Sequence, residues 1–145
     1  MFSAPFAART AQQRLTAGAY HQVGIQTSVT SASSHQLVSL LFDAYFTAIS
    51  RALHAMQHKE VQAKGAAISH AVRVIDEGLK ASLNITAGGK LATDLSDLYA
   101  YICLRLTQAN LRNDEQALEE CRQLMQPLRD AWDSISEHQE VLNRI

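Results

Sequence analysis

His54 and His58 stand four residues apart, which puts two imidazoles on one face of a helix. That spacing suits two ligands of one metal ion, and Glu60 is the only carboxylate close by. No HExxH motif accompanies them, and the Glu-x-x-His pairs of a di-iron bundle are absent. The pair is therefore expected to be solvated polar side chains at a helix end, with no metal and no cofactor. His21, His35, His70 and His138 are isolated in sequence. Cys103 and Cys121 sit in apolar helical sequence without a CxxC or Cys/His zinc spacing, which predicts two reduced, buried thiols. Ser33-Ser34 fits a helix cap better than a nucleophile. No phosphate loop, nucleophile elbow or paired acidic motif occurs, so an enzyme is not expected.

The elements that carry these residues are helical. The chain has 145 residues, 47% hydrophobic and 19% charged, which suits one globular domain with a real core. Two prolines and no alternating apolar pattern of strand length leave helices as the only regular element expected. The formal net charge is −1, with Lys and Arg scattered singly. Nucleic-acid binding would need a basic stripe and is excluded on that ground. No apolar run is long enough for a membrane helix, and no secretory leader is seen. Residues 1–42 carry Arg9 and Arg14 without an acid, but lack the arginine density of a transit peptide.

Four helices follow from periodicity. Ser33 and Gln36 form a capping box for the first, which runs to about Gln57. Its apolar residues, from Leu37 and Leu41 through Val38, Tyr45 and Met56 to Phe42, Phe46 and Leu53, cover an arc of about 240°. A surface helix needs only about 100°. Such a helix is central to a bundle or keeps a second apolar face for a partner. The second runs from about Val61 to Asn84 on a stripe of Val61, Ile68, Val72, Ile75, Leu79 and Leu83, with Lys64, Arg73, Asp76 and Lys80 turned away. Ile85 to Gly89, with the pair Gly88-Gly89, reads as a loop. The third helix, from about Lys90 to Leu111 or Arg112, has the stripe Leu91, Leu95, Leu98, Ile102, Leu106 and Ala109. Off that stripe, Tyr101 points about 80° aside, and Leu104 and Leu111 point nearly opposite. Asn113 to Gln116 suggests a capping box for the fourth. It carries Leu118, Cys121, Met125, Leu128, Trp132 and Ile135, with Pro127 inside, where a kink is expected.

Short loops between long helices predict an all-α, antiparallel up-down four-helix bundle over 34–135. Residues 1–33 read as a mobile N-terminal arm, with room for a short extra helix around Ala8 to Ala19. Residues 136–145 read as a polar C-terminal tail. Tyr20, Val23 and Ile25 are the arm's apolar anchors, and the arm is expected to fold over a groove when no partner is present. Together with Tyr101, Leu104 and Leu111 they form the expected partner-binding set. The alternative is a homodimeric helical scaffold or regulatory module whose surplus faces bury each other.

Ordered blocks of this sequence resemble the flagellar secretion chaperones of the FliS type. They are Ala19-Tyr20-x-x-Val23 with Val29, then Ala32-Ser33 with Leu37-Val38 and Leu41-Phe42-Asp43-Ala44. Leu83-Asn84 with Gly88-Gly89 follows, then Leu95-x-x-Leu98-Tyr99-x-Tyr101 with Leu104, Ala109-Asn110 and Asp114. Pro127-Leu128-Arg129-x-Ala131-Trp132 closes the series. The resemblance spans about Ala19 to Ile135. His35 stands where the family usually has proline after the capping serine, and the extension before Ala19 is longer than usual. The resemblance implies a cytoplasmic bundle that binds the carboxy-terminal segment of flagellin. It would suppress premature polymerisation and help present the subunit to the flagellar type III export apparatus, without nucleic acid or membrane insertion.

Overall fold

A computed structural model describes residues 33–143, and the side chains of all of these except 85–87 and 136–143. Tyr20, Val23, Ile25 and the arm expected at 1–33 therefore lie, apart from Ser33, outside the described residues. Four helices make an all-α bundle: α1 (Ser34–Gln57), α2 (Val61–Arg73), α3 (Ile85–Arg112) and α4 (Glu115–Asn143). Each helix packs on its sequence neighbour, and α4 closes the ring against α1. No strand occurs among the described residues.

The capping box at the start of α1 is complete. Gln36 N donates to Ser33 Oγ at 3.1 Å, and Ser33 N donates to Gln36 Oε1 at 2.9 Å. At its far end Lys59 takes φ 58, while Lys59 N donates to Met56 O and Glu60 N to Ala55 O. These two bonds are the Schellman pattern, which satisfies carbonyls that the last turn leaves open. The wide apolar arc of α1 is explained by its position between α2 and α4. Leu41, Phe42, Tyr45, Ala48, Ile49, Ala52 and Leu53 are all buried. Tyr45 Oη is satisfied there by donating to Cys121 O at 2.8 Å.

The second helix departs from its expected course to Asn84. It changes at Val74–Leu79 into a π-helical turn, with Lys80 N donating to Ile75 O. Val74, Ile75, Gly78 and Leu79 are all buried within that wider turn. Lys64 is also not turned to water as its wheel position predicts. It is 6% exposed and donates to Asn110 O and Asn113 Oδ1 at the end of α3. The expected loop at Ile85–Gly89 is mostly a helical turn leading into α3, broken at Gly89, where φ is 55 and ψ −133.

Asp114, rather than Asn113, caps α4: Ala117 N donates to Asp114 Oδ1 at 3.2 Å. Asn113 instead holds a left-handed turn at φ 51. The fourth helix continues past Ile135 to Asn143 and runs through Pro127. Val61, Leu91 and Ile135, expected on core stripes, are exposed: Val61 is the first residue of α2, Leu91 follows the break at Gly89, and Ile135 lies in the last third of α4. Trp132 is half-buried against the core and stacks on His35, with ring centroids 4.4 Å apart. Trp132 Nε1 donates to His35 O at 3.1 Å. His35 is thus not isolated. It joins the first turn of α1 to α4.

Candidate partner-binding face

The outer face of α3 carries the apolar surface that the bundle does not use. Ile102, Leu106 and Ala109 are fully buried, and they define the core side of the helix. Leu104 stands about 160° round the helix from both Ile102 and Leu106. It is 55% exposed, Leu111 is 77% exposed and Tyr101 is 43% exposed. Positions 101, 104, 108 and 111 fall at i, i+3, i+7 and i+10, the spacing of an amphipathic stripe. Leu104 and Leu111 are two turns apart, about 10.5 Å along the axis. A second stripe therefore lies behind the first, with Gln108 as its one polar member.

A polar fence orders the edge of this stripe toward α4. Tyr101 Oη donates to Glu120 Oε2 at 2.6 Å. Arg105 Nε donates to Glu120 Oε1 at 2.8 Å, and its Nη1 to Gln108 Oε1 at 2.8 Å. The hydrogen bond from Tyr101, then that from Arg105, holds the Glu120 carboxyl below its ordinary range. The same bond raises the Tyr101 phenol, so it stays protonated and donating at neutral pH. Tyr101 thus faces the α3–α4 groove, while Leu104 and Leu111 face away from the core. Arg105 and Glu120 were not singled out from sequence, because their pairing crosses between helices and leaves no local spacing to read.

Asp43, Phe46, Thr47, Ser50, Arg51 and Arg129 line an open depression of about 550 Å³ between α1 and α4. Arg129 pairs with Asp43 and lies 5.2 Å from the Phe46 ring centroid. Both cysteines are free; Cys121 is buried and Cys103 half-buried. Burial pushes each thiol up to about 12, so neither is a nucleophile at neutral pH. Tyr99, absent from the expected core, is buried, and burial raises its phenol to about 12. No described helix is long and apolar enough to cross a membrane.

Tyr101, Leu104 and Leu111 thus leave an apolar stripe exposed on the outer face of α3. A family model described as "Flagellar protein FliS" matches residues 16–139. The chain belongs to the FliS family. It is 49% identical over 118 residues to the flagellar secretion chaperone FliS of Salmonella typhimurium, covering 81% of this chain and 87% of that protein. Identity to the Escherichia coli FliS is 45% over 114 residues, 79% of this chain and 84% of the relative. With the flagellar secretion chaperone FliSB of Pseudomonas aeruginosa it is 36% over 117 residues, 81% and 92%. A FliS-family chain is a flagellar export chaperone by class.

Proposed function

We propose that this FliS-family protein captures the carboxy-terminal segment of flagellin in the bacterial cytoplasm, on the outer stripe of α3. Holding that segment blocks premature polymerisation and keeps the subunit ready for the flagellar type III export apparatus. The observation that carries this reading is the exposure of Tyr101, Leu104 and Leu111 in one helical register on a folded bundle. A segment disordered alone can fold along such a stripe as a helix. Burying about a thousand Å² of apolar surface offers roughly 25 kcal/mol gross at 25 cal/mol per Å². Ordering and association remove most of it, which leaves micromolar to nanomolar capture without a charged hot spot.

Titration with purified flagellin, full-length and carboxy-terminally truncated, tests the reading. Full-length flagellin should bind and the truncated form should not. Leu104→Glu should weaken capture by more than about 1.4 kcal/mol, a tenfold change, with helicity unchanged. Equal binding of the two flagellin forms would refute the proposal. A concentration-independent dimer burying α3 in sedimentation would favour the homodimeric scaffold.

A further inference from the structure

The turn from α1 to α2 gathers three side chains with metal-binding atoms. Those of His54, His58 and Glu60 all lie within 4.8 Å of one another. Tetrahedral coordination at bonds of about 2.0–2.1 Å places ligand atoms roughly 3.4 Å apart. All three residues are exposed, so rotation of side chains closes the difference without moving the backbone.

Two features set this trio apart from an ordinary polar surface. The backbone that carries it is fixed. His58 N donates to His54 O at 3.0 Å, Glu60 N donates to Ala55 O at 2.8 Å, and Glu60 O accepts from Lys64 N at 2.9 Å. The second feature is the state of His58. Its Nδ1 lies 2.8 Å from His54 O. A carbonyl oxygen only accepts, so Nδ1 is the donor there, which leaves Nε2 as the ring atom that can face a metal. Metal-binding histidines are held in this way, the second ring nitrogen donating to a carbonyl or carboxylate. The two imidazoles stack with centroids 4.0 Å apart, so both already lie on one side of the turn, and binding one ion requires the exposed His54 ring to turn out of the stack.

We propose that His54, His58 and Glu60 bind one divalent transition-metal ion of the zinc class. Two imidazoles and a carboxylate favour zinc, nickel or copper over magnesium and calcium. Three protein ligands leave a position for water, so the site exchanges its ion and does not hold the fold together. Arg51 lines the same groove as His54 and Glu60, and Lys59 lies within the turn. Their positive charges oppose the ion and keep its affinity in the micromolar range. The site lies at the opposite end of α1 from the His35–Trp132 clamp.

Calorimetric titration of zinc into the tag-free full chain near neutral pH tests this. One equivalent should bind with a micromolar Kd. His58→Ala and Glu60→Gln should each weaken binding by at least about tenfold, while His35→Ala leaves it unchanged. His58 also closes the end of α1, so His54→Gln serves as the second variant. It removes a ligand but keeps the bond from His58, which uses the backbone of residue 54. Absence of binding, an affinity untouched in His54→Gln and Glu60→Gln, or half an ion per chain would each overturn the proposal.

Discussion

Lys64 and Asn113 are tied across one end of the bundle: the ammonium donates to Asn113 Oδ1 at 2.5 Å and to Asn110 O at 3.0 Å. A cation from α2 thereby satisfies the last turn of α3, where the helix dipole favours positive charge. Lys64→Met keeps most of the aliphatic stem but removes both bonds and leaves a helix-end carbonyl unpaired. The expected cost is about 1–3 kcal/mol. Urea unfolding should show a lower midpoint with an unchanged slope.

Lys64 also marks where sequence stops being informative. Its wheel position lies off the apolar stripe, and only the end of another helix, nearly fifty residues on, makes that position a buried one. Features contained within one helix were legible: the Ser33 cap, the wide arc of α1, and the second stripe of Tyr101, Leu104 and Leu111. Interactions between elements were not. The π-helical turn at Val74–Leu79, the Tyr101–Glu120–Arg105 fence and the His35–Trp132 stack all depend on how neighbouring helices meet. Asn113 shows the same limit at short range. Its type suits a cap, yet Asp114 caps α4 and Asn113 turns the chain.

Stability should depend on pH through Glu120. Its carboxyl is held below the ordinary range by Tyr101 and then Arg105, so the folded state binds its proton less readily than the unfolded chain. That contribution is present above the unfolded pKa and is lost as pH falls through the folded one. The group is partly exposed and solvent-screened, so the effect is small. Thermal melts of the parent and of Glu120→Gln should differ near neutral pH. The difference should shrink steadily once pH drops below about 4. A difference that grows on acidification would contradict the depressed carboxyl.

Two residues after helix ends hold left-handed backbone, and they should respond oppositely to glycine. Lys59 has φ 58 and Asn113 has φ 51. A left-handed conformation costs a residue with a side chain about 1–2 kcal/mol, and asparagine less than lysine. Glycine removes that cost but loses more chain entropy on folding. Lys59→Gly should therefore stabilise by up to about 1 kcal/mol. Asn113→Gly also deletes the acceptor of Lys64, so it should be neutral or destabilising. Paired denaturation curves check both signs.

Gly78 and Leu41 test how tightly the π-helical turn is set on α1. A Cβ added at Gly78 would stand 2.6 Å from Leu41 Cδ2 and 2.9 Å from Leu41 Cδ1. Leu41 is fully buried, so its side chain has no open space into which to swing. Overpacking of this kind costs about 1–3 kcal/mol. Alanine in place of glycine within a helix returns about 1 kcal/mol. Overpacking is the larger effect, and Gly78→Ala should be destabilising by about 1 kcal/mol. In a Leu41→Ala background the clash is gone and only the backbone gain remains, so the same substitution should become stabilising. That reversal of sign in a double-mutant cycle is the measurement. Additive effects would mean that the two helices already have room between them and that the close approach is not what Gly78 provides.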